Sequence, residues 1–152
     1  MSGNDNGLLT KAKVRPFTSE DEPACIRIMN EAMGQSFYWT KVESLDTQSF
    51  RATTSDEALI VAELAGQVVG FASIYIPDHF LHHLYVDPGV QRKGVGAALL
   101  SEMHRIIGSD ASLKCQVQNT TARDFYAANG WVEDSGIGGR DELGDWLQLR
   151  IT

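Results

Sequence analysis

Between Asp87-Pro88-Gly89 and a run of helical periodicity stand Gln91, Arg92, Lys93, Gly94, Val95, Gly96 and Ala97. These residue types suit one task, holding an anion. Backbone N–H groups at a helix start have no carbonyl partner within the helix and carry partial positive charge. Gly94 and Gly96 leave that backbone uncovered, and Arg92 and Lys93 add formal charge beside it. Glycine weakens a helix, by up to ~1 kcal/mol in an interior, so two in one first turn suggest a reason beyond packing. A Walker A loop is excluded: Gly89 and Gly94 have its gap, but Val95-Gly96 stand where Lys-Ser/Thr is required. The dinucleotide fingerprint fails as well, with Leu99 at its third small position and a helix and a hairpin ahead of it.

A second group of residues can move protons. Three of the four histidines, His79, His82 and His83, lie between Pro77 and Leu84. Neutral imidazole, which ordinarily titrates near pH ~6.5, suits proton removal. On a strand His82 shares the parity of Phe80, whereas His83 faces the other way unless a bulge rotates it. Adjacent strand residues on opposite faces do not make a metal site, so no metal is expected. Cys25 and Cys115 have neither CxxC nor metal spacing and read as reduced core thiols of a cytosolic protein.

The elements that must position these groups follow from pattern. Lys13 to Phe17 reads as a strand. Acids and Pro23 then open a helix with Cys25, Ile28, Met29, Ala32 and Met33 on one face and Gly34 at its end. Thr40 and Glu43 have capping-box spacing for a second helix from Lys41 to about Ala52. Ala58 to Leu64 and Val68 to Ile76 form a hairpin around Ala65-Gly66-Gln67. Phe80 to Val86 is a strand, Lys93 to Ile107 a helix ended by Gly108, and Ser112 to Val117 a strand. Thr121 to Asn129 is a short helix opened by a Thr121–Asp124 box and closed by Gly130. Trp131 to Asp134 and Asp145 to Ile151 are last strands around a Gly-rich, acidic loop. The middle strand–helix–strand should be a right-handed parallel crossover in an otherwise antiparallel sheet. This is a mixed α/β (α+β) fold.

Composition sets outer bounds. With 43% apolar and 22% charged residues over 152 positions, the chain can bury a core. A net charge of −7 argues against nucleic acid or an anionic membrane, which need a basic footprint. No apolar run reaches the ~18 residues of a membrane span, and the N-terminus lacks a basic-then-apolar signal. A cytoplasmic location is expected, with residues 1–10 as a frayed tail ahead of a single domain at 11–152.

The phosphate turn follows a strand ending in Leu84-Tyr85-Val86-Asp87-Pro88, and Asn119 precedes Tyr126 by seven residues. Asn129-Gly130-Trp131 closes the segment. This set resembles the cofactor segments of the GNAT N-acetyltransferase superfamily, with Trp131 where the family has Phe. The resemblance spans about Val14 to Ile151, and its specific part is residues 81 to 131. It implies a GNAT-like sheet of six to seven strands with about four helices, and acetyl transfer from acetyl-CoA to a primary amine in a ternary complex.

It also implies roles. Residues 91 to 97 would hold the pyrophosphate, backbone groups of Leu84, Tyr85 and Val86 the thioester, and Asn119 the pantetheine arm. Tyr126 would protonate the leaving thiolate. The family's two usual positions for a basic Glu are occupied here by Phe80 and Lys114, so the proton acceptor falls to His82 first, then His83 or Asp78. Phe37, Tyr38 and Trp39 would line the acceptor pocket, and Asp141, Glu142 and Asp145 would attract a cation. A small-molecule amine is the expected acceptor. A protein N-terminus or lysine is the alternative, and a non-catalytic acyl-CoA sensor is the reading from another class. Oligomeric state stays open, a homodimer being common among such folds.

Overall fold

The computed structural model describes residues 11–90, 93–108 and 110–152. The expected tail at 1–10, and Gln91 and Arg92 of the phosphate turn, lie outside them. Among the described residues seven strands form one sheet in the order β1-β2-β3-β4-β5-β7-β6. They are β1 (Lys13–Pro16), β2 (Ala58–Leu64), β3 (Gln67–Tyr75), β4 (Phe80–Val86), β5 (Ala111–Gln116), β6 (Val132–Asp141) and β7 (Gly144–Ile151). Four helices flank it: α1 (Glu22–Ser36), α2 (Thr47–Thr53), α3 (Val95–Ile107) and α4 (Thr120–Ala128).

Side chains alternate across the sheet and divide the core in two. On one face Cys25, Ile28 and Met29 of α1 and Phe50 of α2 meet Val61 and Phe71. On the other, Val95, Leu99, Leu100 and Met103 of α3 meet Ile60, Ala62, Ala72 and Ile74. Phe125 and Tyr126 of α4 pack against that second cluster, which includes Trp131. Both cysteines are buried and free, and burial pushes the Cys25 thiol up to about 12 and the Cys115 thiol up to about 11. Among the described residues no helix is long and apolar enough to cross a membrane.

All sheet pairs are antiparallel except β4 and β5, which run parallel. Among the described residues these two pair only at Phe80–Ser112, beside a 3.0 Å bond from the Ser112 N–H to the His79 carbonyl. β5 then continues in full register with β7, from Ala111–Ile151 to Gln116–Trp146. The C-terminal halves of β4 and β5 therefore part, and the sheet forks at its centre.

Several boundaries differ from expectation. α1 runs through Gly34 to Ser36, since Gly34 has open space around it and no need of a left-handed turn. The Thr40–Glu43 box is not used: α2 begins at Thr47, where the Asp46 side chain accepts from the Ser49 N–H at 2.8 Å. For α4 the cap is Asn119, whose Oδ1 accepts from the Ala122 N–H at 3.2 Å, two residues earlier than the Thr121–Asp124 reading. The expected Gly-rich loop is mostly strand. Gly138 and Gly139 stand opposite Leu147 and Trp146, and a Cβ on Gly138 would come within 2.7 Å of the Trp146 carbonyl. Close approach, not looseness, explains those glycines.

β1 and the start of α1 are joined by one buried carboxylate. Asp21, 6% exposed, accepts from Arg15 Nη1 and Nη2 at 2.8 and 2.9 Å and from the Thr18 N–H at 2.8 Å. Arg15 also donates from Nε to Glu63 of β2 at 2.5 Å. The Arg15 hydrogen bonds, opposed by burial, pull the Asp21 carboxyl down to about 2 from 3.8. A depressed carboxyl stabilises the fold above its unfolded value and loses that contribution as pH falls through its folded one. Asp21→Asn is expected to lower stability by roughly 2 kcal/mol at neutral pH. The loss should shrink between pH 4 and pH 2, as followed by denaturant melts across that range.

Candidate active site

A cavity of about 360 Å³ occupies the fork. Its lining brings together Leu84, Tyr85 and Val86 at the end of β4, Gly94, Val95, Gly96 and Ala97 at the start of α3, and Asn119 and Tyr126 from the loop and helix after β5. These belong to segments assigned from sequence to cofactor binding. Lys93 is described and exposed but is not part of the lining.

Each wall has a local cause. Gly94 caps α3 with φ +76° in the left-handed region, which glycine enters without penalty. The first N–H groups of α3 thus start at the cavity, with Ala97 exposed beside them. Gly96 has a different reason to lack a side chain. A Cβ there would lie 2.8 Å from Phe125 Cζ, so its absence lets α3 and α4 close on each other. This packing role corrects the view that both glycines need a ligand to explain them. Asn119 keeps its Oδ1 on the Ala122 N–H while lining the cavity.

Tyr126 lines the cavity with its ring 5.7 Å from that of Trp131. Burial first, then Cys115 and Tyr85, push its phenol well above its ordinary value, which keeps the proton on the oxygen. Burial likewise pushes the Tyr85 phenol up to about 12.

The histidines do not follow simple strand parity. β3 and β4 pair Ser73 with His83 and Ile74 with Leu81, so His82 is an extra residue in a β-bulge. The bulge turns both rings to one side, stacked 3.8 Å apart at 24°. The expectation that they point to opposite faces is overturned, and with it the geometric reason given against a metal. His82 Nδ1 lies 2.5 Å from Glu57 Oε2, and His83 Nε2 lies 3.2 Å from the Thr53 hydroxyl. Burial, then the neighbouring His82, pushes His83 down to about 3, so its ring is neutral. His82 has 37% of its side chain exposed. Neither ring lines the cavity; they follow Phe80 along β4 toward Tyr85, whose ring stacks 5.9 Å from His83.

The aromatic triplet divides. Phe37 is buried and meets Trp39 edge-on at 5.5 Å. Trp39 donates its indole N–H to the Leu143 carbonyl at 2.7 Å, joining the loop after α1 to the β6–β7 turn. Tyr38 is 73% exposed. The acidic residues are largely paired: Asp141 accepts from Lys114 at 2.6 Å and from Gln116, and Asp145 accepts from Arg140 at 2.8 Å.

Sequence reasoning missed four contributors. Ala32 and Ser36 of α1 supply a wall of the cavity; small residues on a helix leave no signal. Phe125 was visible only as a packing neighbour. Glu57 follows Asp56, a residue at φ +67°, and nothing local links it to a histidine twenty-five positions on.

The profile of the acetyltransferase (GNAT) domain matches residues 55–133, and the chain belongs to this family of N-acetyltransferases. It is 25% identical over 139 residues to YhfO of Bacillus subtilis, described as an uncharacterized N-acetyltransferase, covering 82% of this chain and 92% of that one. Among solved structures, it resembles a GCN5-related N-acetyltransferase from Rhodopseudomonas palustris with a TM-score of 0.78 at 22% identity, over 94% of this chain and 96% of the other. It also resembles the PaiA N-acetyltransferase from Thermoplasma acidophilum, solved in complex with coenzyme A, with a TM-score of 0.74 at 18% identity, over 91% and 98%. What these structures share with the chain, at identities below 25%, is the fold.

The two glycines at α3 predict unequal outcomes. Gly94→Ala meets no atom but must hold a left-handed backbone, a loss of about 1 kcal/mol. Gly96→Val must displace the Phe125 ring and is expected to cost roughly 1–3 kcal/mol. Thermal melts of the two variants should rank in that order.

Proposed function

We propose that the forked cavity holds acetyl-CoA and that the chain moves its acetyl group to a primary amine of a small molecule, by direct attack in a ternary complex. The carrying observation is the convergence of Leu84–Val86, Gly94–Ala97, Asn119 and Tyr126 on that one cavity.

In this reading the N–H groups at the start of α3 hold the pyrophosphate, with Gln91, Arg92 and Lys93 preceding them in sequence. Leu84, Tyr85 and Val86 belong to a strand that has parted from β5, and backbone N–H groups there polarise the thioester carbonyl. The amine attacks the carbonyl carbon, the C–N bond forms and the C–S bond breaks. His82, directly or through water, takes the ammonium proton, with Glu57 fixing its ring. Tyr126, protonated by virtue of its burial, donates to the departing thiolate and is restored by the second proton, which the nitrogen releases as the amide forms. His83, neutral and enclosed, supports the His82 ring by stacking.

Support for a small acceptor comes from the Trp39–Leu143 bond, which ties the loop after the cavity-lining Ser36 to the β6–β7 turn, whereas a peptide acceptor would need an open groove on that side. None of the three aromatics lines the cavity itself: Phe37 and Trp39 brace the junction of loop and turn, and Tyr38 offers exposed aromatic surface beside it.

The direct test is free-thiol release from acetyl-CoA across amino acids, polyamines, aminoglycosides and peptides. Turnover confined to small amines supports the proposal; turnover on peptides alone, or acetyl-CoA binding with no thiol release on any amine, overturns it. Ala97→Glu sets a carboxylate at the helix start, where it favours the helix and repels phosphate. Acetyl-CoA affinity by calorimetry should fall roughly tenfold or more, with the melting temperature unchanged or raised. Tyr126→Phe should lower kcat by about 10- to 100-fold at unchanged acetyl-CoA affinity. His82→Gln should likewise lower kcat while sparing acetyl-CoA binding.

A further inference from the structure

The β4 bulge gathers more donor groups than proton transfer requires. Glu57, just ahead of β2, meets the two stacked imidazoles of His82 and His83, and one donor atom from each lies within 4.8 Å of the other two. We infer that Glu57, His82 and His83 form a binding site for a divalent transition-metal ion of the zinc type.

The strongest indication is the carboxylate. The Glu57 side chain is only 7% exposed. Its Oε2 faces His82 Nδ1, but among the described residues its Oε1 is buried with no hydrogen-bond partner. A buried carboxylate oxygen left without a donor is costly. Protonation of His82 would satisfy Oε2 and leave Oε1 as it is; an ion lying between the three side chains answers both. A second buried oxygen without a partner, Ser73 Oγ, stands directly across the strand pair from His83 and so on the same face.

The rings are also supported as ligands are. His83 Nε2 faces the Thr53 hydroxyl at 3.2 Å. With that nitrogen as the donor, Nδ1 keeps its lone pair, the outer-shell arrangement that fixes a metal-binding imidazole. His82 rests on His83 at 3.8 Å, and its exposed edge gives an ion a path from solvent. A tetrahedral zinc ion with bonds of about 2.0–2.1 Å needs its donors roughly 3.4 Å apart, within reach of modest side-chain rotation from the present spacing. Two imidazoles and one carboxylate suit zinc or a neighbouring first-row dication, not magnesium or calcium, which take oxygen sets. Three protein donors leave a fourth position for water or a ligand.

The ion and a proton would compete for His82, so loading is expected to slow acetyl transfer. That consequence rests on the function proposed above; the site does not. The test is a titration of the full chain, stripped with chelator, with Zn2+ by calorimetry and with Co2+ by visible absorption. Saturable binding of one ion per chain is expected, with a Co2+ spectrum of low coordination number. Glu57→Gln and His83→Gln should each weaken it roughly tenfold or more, and His79→Gln, a histidine outside the cluster, should leave it intact. Acetyl-CoA binding by the same samples checks their folding and reads the donor site separately. Absence of saturable binding, or binding unchanged in both Glu57→Gln and His83→Gln, overturns the assignment.

Discussion

Everything at the site depends on two strands that stop pairing. β4 and β5 lie side by side, yet among the described residues their register is held only at Phe80–Ser112, and β5 is kept in place instead by its full ladder with β7. A parallel pair that separates leaves unpaired N–H and C=O groups on both inner edges, and buried groups of that kind need partners. The fork therefore does two things at once. It opens a volume in the middle of the sheet, and it supplies main-chain donors to whatever fills it. α3 leaves the tip of β4 through Gly94 and α4 leaves the tip of β5 through Asn119, so both helix starts face the same opening.

The segments that wall the cavity were readable because their demands are local. A glycine at a left-handed cap, a strand immediately before it and an Asn at a helix entry are each properties of a few consecutive residues. The misreadings have the opposite character. Gly138 and Gly139 resembled a loop because glycine has low strand propensity, but their close approach to Trp146 is decided by a neighbouring strand. Gly96 resembled a ligand position when the nearest claim on it is the Phe125 ring. Asp46 rather than Thr40 opens α2, and Asn119 rather than Thr121 caps α4; spacing alone offers several caps and tertiary packing chooses among them.

The histidines illustrate the same division at a single site. Parity along β4 would separate His82 from His83, and the rule holds for any regular strand. One extra residue relative to β3 cancels it. The result is a patch in which a neutral ring, an exposed ring and a buried carboxylate from the residue ahead of β2 come together. Glu57 was invisible from sequence because its partner is set by the pairing of β2 with β3 and of β3 with β4, two steps of register away.

The bond from Trp39 to the Leu143 carbonyl has a meaning for how this chain can change over time. β6 is an edge strand with a neighbour on one side only, and the turn it forms with β7 extends beyond the sheet to grip a loop that comes a hundred residues earlier. Edge hairpins accept insertions and deletions without disturbing a core. The molecule thus keeps its most conformationally constrained parts around the fork and its most editable part at the other end of a single indole hydrogen bond. Lengthening or shortening one hairpin would move the loop after α1 with it, while the helix start at Gly94 and the parted strands stay as they are.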